Sequence, residues 1–137
     1  MSIRERCSRL AVVLVVVSAV VSGCAGGRPS GQADTQIPIA GIETIAGKWT
    51  GLVERVASRE DWIELLINDD SSFQFTGSRT IGLLQGKGKM TLREGQGFSE
   101  SDRGRATYRL YDRGGKRVLR VEVVETNGLR YAADLTR

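Results

Sequence analysis

The chain offers a restricted set of side chains able to hold a proton, a metal or a nucleophilic electron pair. It contains no histidine and two cysteines, Cys7 and Cys24. Without histidine, the commonest general base and the commonest metal ligand are both missing. Carboxylates, lysines and tyrosines remain, but no two carboxylates can be placed across a cleft, so glycosidase chemistry has no support. Asn68, Asp69 and Asp70 could hold a calcium ion, yet the spacing of a calcium loop is absent and the tripeptide reads as a turn. Glu60, Asp61 and Glu64 read as solvated. Gly86-Lys87-Gly88-Lys89 looks like a fragment of a phosphate loop, but it lacks the spacing and the Ser or Thr of one and precedes a strand. Its glycines read as permitting a bend at a barrel corner. No cofactor motif and no metal-ligand set is present, and the expectation is a protein that is not an enzyme.

Cys24 stands in a more specific context. Arg4, Arg6 and Arg9 precede an apolar run from Leu10 to Val21, too short for a permanent membrane span and of the length used by secretory signals. The run ends in Val21-Ser22-Gly23-Cys24. This pattern of aliphatic, small, Gly or Ala, then Cys resembles the lipobox of bacterial lipoprotein precursors. The resemblance implies diacylglyceryl transfer to the Cys24 sulfur, cleavage before Cys24, and a membrane anchor of two or three acyl chains. An ordinary cleaved signal with an incidental cysteine is the alternative. Ala25 stands where the inner-membrane retention signal of that family places Asp. The expected location is therefore the outer membrane, facing the periplasm, in a host that has two membranes.

Loss of residues 1–23 removes Arg4, Arg6, Arg9 and Glu5 and lowers the net charge from +4 to +2. Composition then gives no reason to expect nucleic acid as a partner. Cys7 leaves with the signal peptide and Cys24 carries lipid, so no cysteine is left for a disulfide, a thiolate nucleophile or a zinc site. Residues 24–39 are rich in Gly, Pro and Ser without periodicity and read as a flexible tether. Residues 40–137 are enough for one small domain.

The domain alternates. After Gly47-Lys48-Trp49-Thr50-Gly51, residues 62–67 put Ile63, Leu65 and Ile67 on one face. Asn68-Asp69-Asp70-Ser71 reads as a turn, and Phe73 and Phe75 follow on one face of the next strand. Strands are expected at 80–84 and 87–93, with a polar loop from Gly95 to Gly104. The next strand, 105–111, turns Ala106, Tyr108 and Leu110 one way. Leu119, Val121 and Val123 share a face in 117–125, Asn127-Gly128 is a strong hairpin dipeptide, and Leu129, Tyr131, Ala133 and Leu135 close the pattern. About eight short strands with one-sided alternation predict an all-β domain, a small up-and-down antiparallel barrel. The competing pattern is a helical stripe of Leu52, Val56, Ile63 and Ile67, which would make the fold α+β with a helix near 52–67.

The Gly-x-Trp of Gly47 and Trp49 at the start of the first strand is similar to that of the calycins, the group containing lipocalins and avidins. The resemblance implies a lipocalin-like barrel in which Trp49 packs across one end. Gly47-Lys48-Trp49-Thr50 looks especially like the avidin start, but Gly51 stands where avidins place a polar residue that contacts biotin.

Two candidate sites follow. Ile63, Leu65, Phe73, Phe75, Met90, Leu92, Tyr108, Leu110, Val121, Tyr131 and Leu135 face inward; they either line a pocket for a small hydrophobic ligand or fill the interior. Tyr108 and Tyr131 would orient a ligand head group, because a buried phenol needs a partner, and Trp49 would stack on a ligand or plug the barrel. Arg105, Arg109, Arg120 and Arg130 fall on outward faces of the last three strands, either as a solvated, ion-paired face or as a basic stripe for anionic lipid or an acidic partner. The sequence thus supports a ligand-binding barrel first. A packed barrel that docks on another envelope protein, or inhibits an extracytoplasmic enzyme, comes second.

Overall fold

The computed structural model describes residues 34–54, 61–79 and 82–137. The expected signal peptide, Cys24 and residues 25–33 of the expected tether lie outside them, as does Glu60. Ten strands form one antiparallel sheet: β1 (Thr35–Ile37), β2 (Gly47–Glu54), β3 (Asp61–Ile67), β4 (Ser72–Arg79), β5 (Gly82–Lys89), β6 (Thr91–Arg93), β7 (Gln96–Ser101), β8 (Gly104–Arg113), β9 (Lys116–Glu125) and β10 (Arg130–Thr136). The order across the sheet is β5-β4-β3-β2-β10-β9-β8-β7-β6, with β1 paired to β8 beyond the end of β7. Each main strand lies beside its sequence neighbour, and β10 returns to β2, so the sheet curls into a lipocalin-like up-and-down barrel. β5 comes back beside β7, but among the described residues no backbone ladder joins them, and the barrel is nearly closed.

The alternation of the sequence is realised strand by strand. Trp49, Leu65 and Phe75 are successive cross-strand partners on the inner face, as are Tyr108 and Val121, and Leu110 and Leu119. One end is packed solid. Ile39, Ile45, Trp49, Ile67, Met90, Leu110 and Leu119 are all buried there. Trp49 has no accessible surface; its indole N–H donates to the Ile45 carbonyl at 2.7 Å. A short 3-10 turn at Ile42–Thr44 brings that carbonyl over the barrel end. Arg137 lies over the indole, its guanidinium carbon 4.5 Å from the ring centroid. From there it donates to the carbonyls of Thr44 and Ala46 at 3.2 and 2.9 Å. Trp49 is thus a plug, held by a hydrogen bond, a cation–π contact and burial together.

Five expectations are corrected. Among the described residues of 52–67 there is no helix, Val56 lying outside them: Leu52 is outward and exposed, Ile63 and Ile67 are inward, and β2 pairs with β3 through Leu52 and Trp62. The stripe was coincidental, because a period of two in two antiparallel strands also returns apolar residues at helical separations. The tether ends earlier than residue 39. Thr35–Ile37 adds to the edge of β8, and Ile39 is buried with its N–H on the Gly95 carbonyl at 2.9 Å. Gln85-Gly86 does not divide two strands; β5 runs through it and the break comes at Met90. The polar loop from Gly95 to Gly104 contains β7. Its inward residues are Gly97, Ser99 and Ser101, so it lacks the apolar alternation of a core strand and is specified by pairing with β8. Leu129 is exposed at the β9–β10 turn, since inward residues of β10 begin at Tyr131.

Trp49→Ala should destabilise the fold by about 3–5 kcal/mol, the usual loss for removing a buried aromatic. Urea denaturation measures this, and a loss below about 1 kcal/mol would contradict the plug.

Candidate functional site

The other end of the barrel is hollow because its inward residues are small where the wall closes. In β5 the inward positions Gly86 and Gly88 are covered by the rings of Phe75 and Phe73. A Cβ at Gly86 would lie 2.3 Å from the Phe75 ring, and one at Gly88 2.9 Å from that of Phe73. These glycines admit aromatic rings against the backbone, which replaces the expected corner bend with a packing role. The lysines between and after them, Lys87 and Lys89, are exposed. Ser99 and Ala106 continue the small side chains on β7 and β8, whereas at Gly97, toward the sealed end, a Cβ would meet Met90 Sδ at 2.6 Å.

The result is a cavity of about 580 Å³, within the roughly 300–1,000 Å³ typical of small-molecule sites. Ile63, Leu65, Phe73, Phe75, Val121, Val123 and Leu135 supply its apolar wall, and Tyr108, Tyr131 and Ser99 its hydroxyls. At the mouth stand Glu100, Asp102, Arg103, Arg105 and Glu125. The expected inward set therefore divides between two roles. Met90 and Leu110 pack the sealed end, while most of the others line the hollow. Trp49 is not among the lining residues; it is fully buried, with its N–H on the Ile45 carbonyl.

Register explains how distant residues meet. Ser99, Ala106, Val123 and Tyr131 are successive cross-strand partners and form one row around the wall. Gly97, Tyr108, Val121 and Ala133 form the next row, toward the sealed end. The Tyr108 hydroxyl and Ser99 Oγ are 3.0 Å apart, in hydrogen-bond contact. The Tyr108 ring lies at 6.1 Å and 56° to Phe73, a tilted aromatic pair. Burial pushes the Tyr108 phenol up to about 12, against the lowering effect of the Ser99 hydrogen bond, and nearby Tyr131 adds to the rise.

The four outward arginines do not act as a set. Arg109 and Arg120 face each other across β8 and β9, and acids interleave them. Arg109 reaches Glu122 at 2.7 Å and Gln96 at 3.1 Å. Arg120 reaches Asp134 at 3.0 Å and Glu122 at 3.4 Å. Arg113 extends the network, holding Asp134 at 2.9 Å and Asp34 through two hydrogen bonds of 2.8 and 2.6 Å. The Arg113 guanidinium holds the Asp34 carboxyl below its usual value. Arg105 and Arg130 sit apart from that network, both opposite Val124 and both exposed. The Asn68-Asp69-Asp70 cluster is a turn: Asp70 accepts from the Ser72 N–H at 2.9 Å and from its hydroxyl, and Asn68 donates to the same hydroxyl. Those bonds hold the Asp70 carboxyl low.

Ser99, Gly97 and Arg137 were not singled out from sequence, and Ala106 was read as inward without a place at the site. Ser99 and Gly97 lie in a stretch with no apolar pattern, and only the pairing with β8 reveals which of its residues face inward. The chain matches no protein-family model, no curated protein and no solved structure.

Tyr108 generates a pH prediction. The unfolded chain releases this proton near pH 10 and the folded chain near pH 12. Between those values the unfolded state binds fewer protons, so stability falls as pH rises. Urea midpoints across that window should fall less steeply in Tyr108→Phe than in the parent chain. Equal slopes would mean that the phenol is not sequestered.

Proposed function

We propose that this chain is a non-catalytic, lipid-anchored bacterial envelope protein whose barrel holds a small hydrophobic or lipid ligand. The observation that carries the binding part is the apolar cavity of about 580 Å³ with one sealed end. A barrel selected only for packing would place large side chains where this one has Ser99 and Ala106. The non-catalytic part is supported by the absence of histidine and by a cavity wall built of apolar and hydroxyl side chains.

The anchor is supported by Val21-Ser22-Gly23-Cys24 after a basic, then apolar, N-terminus. An outer-membrane position facing the periplasm, in a host with two membranes, rests on Ala25. Ten chain steps from Cys24 to Asp34 span at most roughly 35 Å. A barrel so tethered stays within reach of a bilayer from which a lipid could be drawn. Docking on an envelope protein through the arginine face, or inhibition of an extracytoplasmic enzyme, has less in its favour, because Arg109 and Arg120 are engaged with Glu122 and Asp134.

Two outcomes are expected. Cells expressing the chain should incorporate labelled palmitate into it, and Cys24→Ser should abolish the label; labelling of that variant would sink the lipobox reading. The full-length chain carrying Cys24→Ser, incubated with envelope lipids and examined by native mass spectrometry, should show an adduct of lipid mass. Ala106→Phe, which inserts a ring into the hollow, should remove the adduct while circular dichroism remains that of a β protein. A clean mass for the parent would argue for a docking role.

A further inference from the structure

The cavity carries its polar groups in one place and its charges in another. Inside, the polar feature on the β7–β8 wall is the hydroxyl pair of Tyr108 and Ser99, 3.0 Å apart. Two hydroxyls bring two protons, and their mutual hydrogen bond uses one. The second proton still needs an acceptor, from water or from a ligand that displaces it. A ligand oxygen that accepts a hydrogen bond meets that need. A ligand group that only donates would have to turn both hydroxyls round.

Charge complementarity excludes the commonest lipid acceptor. Among the described residues no buried polar or charged side chain is present beyond this aromatic and hydroxyl set. The cations near the cavity, Lys87, Arg103 and Arg105, are exposed. The charged residue whose position on β9 continues the inward alternation of Val121 and Val123 is Glu125, an anion bonded to Asn127 Nδ2 at 3.0 Å. A carboxylate or phosphate drawn down to Tyr108 would therefore lose its hydration without gaining a counter-charge, because the cations Arg103 and Arg105 stay at the mouth, beside Glu100, Asp102 and Glu125.

We infer that the cavity selects an uncharged amphiphile, a long-chain ester or other carbonyl compound, whose carbonyl oxygen accepts from the Tyr108–Ser99 pair while its alkyl chain lies along Phe73, Phe75 and Ile63. This rests on the ligand-binding reading and narrows it to a chemical class. It also explains why a phenol, whose proton is held firmly in this environment, stands at that depth instead of a lysine or arginine: the site donates a hydrogen bond without presenting a charge.

The test compares methyl laurate, laurate and dodecane, titrated into the full-length chain carrying Cys24→Ser and followed by calorimetry below the solubility limit of each. At about pH 8, where a carboxylic acid is ionised, the ester should bind at least about tenfold more tightly than laurate, a lower bound, because a desolvated charge without a partner costs more than that. Ser99→Ala and Tyr108→Phe should each weaken the ester severalfold and leave dodecane unchanged, as expected for loss of one hydrogen bond. Ser99→Ala is the safer variant, because Ser99 is only half-buried; thermal melts show whether Tyr108→Phe is folded. Laurate binding as tightly as the ester, or an ester-to-dodecane ratio untouched by both variants, overturns the inference while leaving a ligand-binding barrel. Failure of all three compounds to bind overturns the ligand-binding reading with it.

Discussion

The burial of Trp49 is the constraint on which the rest of the molecule depends. A barrel this small must close at least one end against water, and an indole is the largest apolar plug the chain can supply. Burying it requires a partner for its N–H, which the Ile45 carbonyl provides. That in turn requires the 3-10 turn before β2 to sit over the barrel end. Arg137 ties the other end of the domain to the same point, over the ring and on to the carbonyls of that turn. First and last segments of the barrel are thus joined through one side chain. The antiparallel pairing of β2 with β10 follows the same geometry, and Gly51 makes it close: a Cβ there would lie 2.2 Å from the Asp134 carbonyl oxygen.

With one end sealed, the other can be hollow. Aromatic rings laid on glycine backbones, Phe75 on Gly86 and Phe73 on Gly88, build a smooth apolar wall without filling the lumen. Small residues on β7 and β8 do the same on the opposite side. The wall that forms the cavity is also the least zipped part of the barrel. β5 and β7 approach each other without a shared ladder among the described residues. Rigidity at the plug and openness at the seam are consequences of where the large side chains are placed.

The outer surface follows a different rule. The network of Arg113, Arg109 and Arg120 with Asp34, Asp134 and Glu122 links β1, β8, β9 and β10 through partly exposed ion pairs. Each such pair is worth little by itself. Together they neutralise three arginines, of which Arg109 and Arg120 stand directly opposite each other, and they fix the short β1 against β8. A row that looks basic in sequence becomes a balanced lattice once strands bring the acids alongside.

The strands with one-sided apolar alternation were legible from sequence: β3, β4, β8, β9 and most of β10, with the inward faces of each. The burial of Trp49 was legible too, because a large apolar side chain in an alternating strand of a small barrel belongs inside. What was not legible lies where local pattern carries no information. β7 reads as a loop because Gly97, Ser99 and Ser101 have neither bulk nor hydrophobicity, and β1 reads as tether because three residues are too few to show a period. The Tyr108–Ser99 pair joins strands whose register is set by long-range pairing. The hollow depends on which small residues meet across the barrel. Alternation is local, and the sequence by itself determines it: an all-β chain with a definable inside. Whether that inside is full or empty is a sum over partners far apart in the chain, and only the tertiary structure decided it.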